Sequence, residues 1–200
     1  MRGPVDRLTS GLPGPWPSIV DWVVTIVVAV GAVLAIKAWI VNPYRIPSSS
    51  MEPTLHCAEP QPGCLSGYSD RVLANRFIYH FRDPHRGDIV VFKTPQRAFD
   101  ECGAGGTFVK RIIGLPGDTV TEGNGGIVSI NGKRLSEPYL ARSQPDQTTG
   151  RWVVPPGQYF MMGDNRSQSC DSRVWGAVPR AALIGPVFAV YWPPQRIGIR

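Results

Sequence analysis

The chain is poor in the two side chains that most often take a proton from a nucleophile. Among 200 residues there are three histidines, His56, His80 and His85, and four lysines, Lys37, Lys93, Lys110 and Lys133. No histidine stands beside an acidic turn that would orient it, which argues against a Ser-His-Asp triad. An RNA-binding aromatic motif, zinc-finger spacing and a helix-turn-helix pattern are also missing, so the net charge of +6 does not read as nucleic-acid binding. An anionic membrane surface suits that charge better. After Leu55 helical periodicity almost disappears, which excludes a helical bundle.

What replaces it is an all-β pattern of short apolar runs divided by Gly, Pro, Asn and Asp. Strands are expected at residues 71–73, 77–81, 89–93, 108–113, 152–154, 159–162 and 183–192, with loops at 95–106 and 141–150. Asn131-Gly132, between Ile130 and Leu135, is a two-residue hairpin signal. Strands this numerous and closely spaced predict a mainly β domain of coiled antiparallel sheets or a partly closed barrel.

Ahead of them, residues 22–41 read WVVTIVVAVGAVLAIKAWIV, with Lys37 as the only charge. Twenty apolar residues in a helix span about 30 Å, the thickness of a bilayer core. The run is longer than the apolar region of a cleaved signal peptide and ends among interfacial aromatics, Trp39 and Tyr44. Lys37 lies near enough to its end to snorkel. A single transmembrane anchor over 18–42 is therefore expected, behind a short tail over 1–17. Arg2 and Arg7 favour a cytoplasmic tail, which places a β-rich domain over 43–200 outside the membrane.

Four cysteines bear on the compartment. Cys57 and Cys64 bracket a short proline-containing loop that a disulfide could close, as extracytoplasmic proteins permit. Zinc bound by these two and His56 is the rival, but no fourth ligand is evident. Cys102 and Cys170 stay open between a pair and two free thiols.

Three stretches carry candidate chemistry. Residues 46–55 read IPSSSMEPTL, a serine run too constrained by flanking prolines for a flexible linker. A serine nucleophile without a histidine can use lysine, provided the amine is neutral; lowering its pKa by three from about 10.4 costs roughly 4 kcal/mol and requires desolvation. Strand alternation puts Lys110 on one face with Phe108 and Ile112, and Arg111 on the other with Val109 and Ile113. Of the other three lysines, Lys37 belongs to the anchor, Lys93 ends a strand and Lys133 follows the hairpin glycine, where water reaches it. The third stretch, GDNRSQSCDSR over 163–173, could hold an amine in place.

Together these stretches resemble the type I signal peptidases, membrane-bound serine proteases with a Ser-Lys dyad. The boxes IPSSSMEPTL, RGDIVVF, VKRIIGLPGD and MGDNRSQSCDSRVWG stand in the family's order within residues 22–176. The resemblance implies Ser50 as nucleophile, Lys110 as general base, and an oxyanion hole from the Ser48 hydroxyl and the Ser50 backbone N–H. Ser169 matches the serine that orients the lysine, and Asp171 and Arg173 a structural ion pair nearby. Ser49 matches a variable position and receives no role. Cys170 departs from the small residue expected there, and the Cys57–Cys64 loop looks like a disulfide of some relatives. No cofactor or metal is implied. The substrates implied are signal peptides of exported preproteins, with membrane lipid and an association with the secretion translocon as further partners. At most about 30 Å of extended chain separates Val41 from Ser50, which keeps the serine close to the membrane surface. Two rivals remain: a repressor-type Ser-Lys autoprotease, which would need a DNA-binding module, and a non-catalytic membrane-tethered β domain in the export machinery.

Overall fold

The structure, a computed structural model, describes residues 16–39, 41–140 and 148–199, with side chains in the first stretch described over 19–34. Most of the expected tail, the Lys37 side chain and residues 141–147 of the expected polar loop lie outside the described residues. Helix α1, Trp16–Trp39, has 24 residues. Pro17 stands in its first turn, where the missing N–H breaks no helical bond. Among the described residues, no helix is long and apolar enough to cross a membrane.

From Asn42 onward the chain forms a separate unit. Its elements run β1 (Val41–Arg45), β2 (Arg71–Asn75), β3 (Ile89–Lys93), α2 (Gln96–Cys102), β4 (Thr107–Gly114), β5 (Thr119–Gly123), β6 (Ile127–Ile130) and β7 (Lys133–Arg134). Then come β8 (Gly150–Val153), β9 (Gln158–Met162), α3 (Ser172–Trp175), β10 (Val178–Pro179), β11 (Leu183–Trp192) and β12 (Gly198–Ile199). The fold is mainly β, as expected. Among the described residues one sheet has the order β1-β2-β11-β3-β4-β9-β10 with β12 also on β11, and a smaller one has the order β7-β6-β5-β8.

The large sheet turns along β11, which passes from one partner strand to the next. Its first residues pair with β3, and the register shifts before Val187 to Trp192 pair with β2. Gly185 sits at this crossing, where a Cβ would overlap the Asn75 carbonyl, so the close approach of the two backbones requires glycine. Strand β3 is buried on both faces, which explains its unbroken apolar sequence. Ile89 and Val91 join a core with Met51, Leu55, Val72 and Val190, while Val90 and Phe92 join another with Ile112, Met161 and Trp175. Ile113, Val120, Val128 and Phe160 fill a third core beneath the small sheet. In the β6–β7 hairpin, Asn131 and Gly132 both have positive φ, 52° and 80°, as a type I′ turn needs.

Two expectations are corrected. Residues 77–81 are not a strand: Asn75 Oδ1 accepts the N–H groups of Phe77 and Ile78 at 2.9 and 3.0 Å, ending β2 in a short 3-10 turn over Ile78–His80. Phe77 and Phe81 then pack together four residues apart, their rings tilted by 55° with centroids at 4.6 Å. The loop over 95–106 contains α2, started by Pro95 and stopped by Gly103 in the left-handed region at φ 65°.

Candidate active site

Met51 and Leu55 are fully buried in the core shared with β2 and β3, each contributing roughly 1.5–3 kcal/mol. They pin the serine run, which turns through one 3-10 turn over Ser49–Met51 after an extended Ser48. Glu52 N–H donates to the Ser49 carbonyl at 3.0 Å and Leu55 N–H to the Met51 carbonyl at 2.9 Å. The turn brings the Ser48 and Ser50 hydroxyl oxygens to 3.3 Å of each other. Ser50 is 8% exposed and lines a cleft of about 410 Å³.

Lys110 lines the same cleft from β4, in register with Val90 of β3. It is 3% exposed, and its Nζ lies 5.7 Å from the centroid of the Phe108 ring, the neighbour that strand alternation names. Burial lowers the amine from 10.5 to about 8; Asp171 and Asp164 raise it against that trend, and Arg173 lowers it further. None of the three histidines is among the residues lining this cleft. The register partners of β9 on β4 begin at Arg111, so Thr107–Lys110 turn their other edge towards the cleft.

Much of the polar run over 163–173 is buried, with Ser167 and Gln168 exposed. Asp164, Asn165, Arg166, Asp171 and Ser172 are all buried. Asp171 caps α3 by accepting from Arg173 N–H, accepts the Gly163 N–H at 3.0 Å, and pairs with Arg173 through Nε at 2.8 Å. Arg173 also donates to the Arg166 and Ser169 carbonyls, at 2.7 and 3.3 Å, so the loop is wound around its guanidinium. The expected hydrogen bond from Ser169 to the lysine amine is not made: Ser169 Oγ is buried without a partner. Its place beside the serine turn is fixed by Gly163, where a Cβ would overlap both Ser169 Oγ and the Ser50 carbonyl.

Several residues that the sequence did not single out complete the site. Arg111, on the other face of β4, forms two hydrogen bonds to Asp164, at 2.8 and 2.6 Å, and Asp164 accepts from Thr54 Oγ1 at 2.5 Å. Asn165 N–H donates to the Ser50 carbonyl at 3.1 Å. Ser49, given no role, donates to Gln168 Oε1 at 2.9 Å. A charged residue opposite Lys110 on a strand buried on both faces was the available signal for Arg111, since such a charge needs a partner.

Cys57 and Cys64 form a disulfide, as the short loop suggests, so neither thiol is free for zinc. His56 does have an acidic neighbour, contrary to expectation: Nδ1 bonds the Glu52 carboxylate one turn away. Cys102 and Cys170 are also joined, tying α2 to the polar loop at the cleft wall.

The family model for signal peptidase, peptidase S26, matches residues 19–192. A probable signal peptidase I-2 of Synechocystis sp. is 42% identical over 175 residues, 88% of this chain and 74% of the relative. A signal peptidase I of Leptolyngbya laminosa is 38% identical over 182 residues, 90% of this chain and 83% of its own. The crystal structure of a signal peptidase I from Enterococcus faecalis is 33% identical, with a TM-score of 0.44 over 52% of this chain and 97% of that one. With the family's match running from the apolar helix through the last long strand, this chain belongs to the signal peptidase family, peptidase S26.

Proposed function

We propose that this serine endopeptidase, which removes signal peptides from preproteins, works through Ser50 and Lys110. The carrying observation is that a buried lysine, its amine lowered to about 8, lines the cleft that also holds a serine hydroxyl. Ser50 attacks the scissile carbonyl while Lys110 takes its proton and passes it to the leaving amine. Lys110 then activates water against the acyl-enzyme. The Ser48 hydroxyl and the Ser50 N–H receive the oxyanion, consistent with the 3.3 Å approach of the two serine hydroxyls. Ser169 limits where the amine can lie, and the Asp171–Arg173 pair holds the loop that carries Ser169.

The turned-out edge of Thr107–Lys110 offers backbone groups to an extended peptide, the mode in which a substrate adds as one more strand. In this reading residues 18–42 anchor the enzyme in lipid, 1–17 stay in the cytoplasm, and 43–200 work outside, where the secretion translocon would deliver the substrate. Processing of a preprotein in detergent by Ser50→Ala, Lys110→Met and the parent tests the dyad. Both variants should lose processing while remaining folded; processing equal to the parent by either one overturns the assignment.

A further inference from the structure

Glu52 directly follows the serine turn, two residues after Ser50, and the mechanism above makes no use of it. It is 2% exposed, yet its carboxylate is fully engaged. One oxygen accepts the backbone N–H of Cys57 at 3.0 Å and of Leu65 at 3.2 Å, while the other bonds His56 Nδ1. Burying a carboxylate is costly unless each lone pair is satisfied, and an apolar residue would fill the same space more cheaply. The donors come from both ends of the loop closed by Cys57–Cys64.

The same loop reaches the serine turn a second time. Gly63, just before the closing Cys64, packs against the Gln168 side chain and Ser49 Oγ so closely that a Cβ would overlap the Gln168 amide. Gln168 in turn accepts from Ser49 Oγ and lines the cleft. The disulfide loop therefore grips the turn from two sides: through Glu52 just after Ser50, and through Gly63 and Gln168 at Ser49.

We infer that Glu52 is a positioning residue for the nucleophile, locking the disulfide loop to the serine turn so that the Ser50 hydroxyl stays at the angle the reaction needs. This rests on Ser50 being the nucleophile. A rotation of the turn by a fraction of an ångström would leave substrate binding intact and slow acylation, because misplacement at the reacting atoms acts on the chemical step.

The test is steady-state kinetics on a purified preprotein with the full-length enzyme in detergent. It compares the parent, Glu52→Ala, Glu52→Gln and Ser50→Ala, with thermal unfolding of each. Glu52→Ala should lower kcat about tenfold or more with KM within twofold of the parent, measured well below its melting temperature. The pH at which activity is half-maximal should not move, since Lys110 is untouched. Glu52→Gln should recover part of the lost kcat, because its amide oxygen can still accept both backbone N–H groups and its nitrogen can face His56. Parent-like kcat in both Glu52 variants, or a fall confined to melting temperature, overturns the inference. If Glu52→Ala does not fold, His56→Phe decides: a kcat lowered several-fold at unchanged KM supports the inference, and parent kcat overturns it. Activity surviving in Ser50→Ala would instead sink the dyad itself, so the two failures are told apart.

Discussion

Asn165 donates its backbone N–H to the carbonyl of Ser50 across 3.1 Å, joining the polar loop directly to the serine turn. Residues 115 positions apart in the chain are thereby fixed to one another at the point where chemistry is proposed. This contact puts Gly163, Ser169 and the Asp171–Arg173 pair within reach of the cleft.

Lys110 makes a prediction about pH. With the buried amine at about 8, it is charged at lower pH and cannot accept a proton, so kcat/KM should rise with pH through about 8. Flat activity between pH 6 and 9 would contradict a lysine base.

The same burial acts on stability. In the unfolded chain the amine titrates near 10.4 and in the folded protein near 8. Between these values the unfolded state holds more protons, and stability gains as pH rises across that window. Below it the folded protein bears the full cost, roughly 3 kcal/mol. Lys110→Met should therefore be more stable than the parent at pH 7, by about 1–3 kcal/mol, with the gap closing towards pH 10.5. Urea titrations at several pH values measure it.

Ser48→Ala removes one of the two proposed oxyanion donors. Its expected effect is a fall in kcat of about 100- to 1,000-fold, or 2.7–4 kcal/mol, with little change in KM. The melting temperature should stay within about a degree or two, since the hydroxyl packs no core. A loss expressed in KM instead would place Ser48 in substrate binding.

Gly163→Ala tests the contact between the polar loop and the nucleophile. The added methyl overlaps the Ser50 carbonyl and the Ser169 hydroxyl, so one of them must move. Activity should fall on the order of 100-fold while circular dichroism stays that of a β protein. Parent-like turnover would mean that the loop can retreat without disturbing Ser50.

The disulfides differ in what they restrain. Cys57–Cys64 closes a sequence separation of 7 and Cys102–Cys170 one of 68. On loop-closure entropy, replacing the short pair by alanines should cost about 2 kcal/mol and the long pair about 4 kcal/mol. Chemical denaturation of the two double variants gives the comparison directly, and an inverted order would refute the entropic account.

Much of this protein is local and was legible without coordinates. Alternation placed Lys110 beside Phe108, the Asn131-Gly132 pair announced its hairpin, and unbroken apolar residues marked residues 89–93 as a strand, because these signals depend only on near neighbours and the pleat. The turn at 77–81 and helix α2 went unread for the converse reason. A side-chain bond from Asn75 outweighs the β propensity of Phe77 and Tyr79, and α2 holds its place through Ala98 and a disulfide to a residue far along the chain.

Tertiary structure alone decided several of the polar partnerships at the site. Arg111 with Asp164, Asn165 with Ser50, and Glu52 with the disulfide loop are all set by strand order and by the cost of leaving a buried polar group unpaired. Sequence could say that the serine, the lysine and the polar loop were present; only the passage of β11 from one partner strand to the next, and the cores packed on it, gathers them around one cleft.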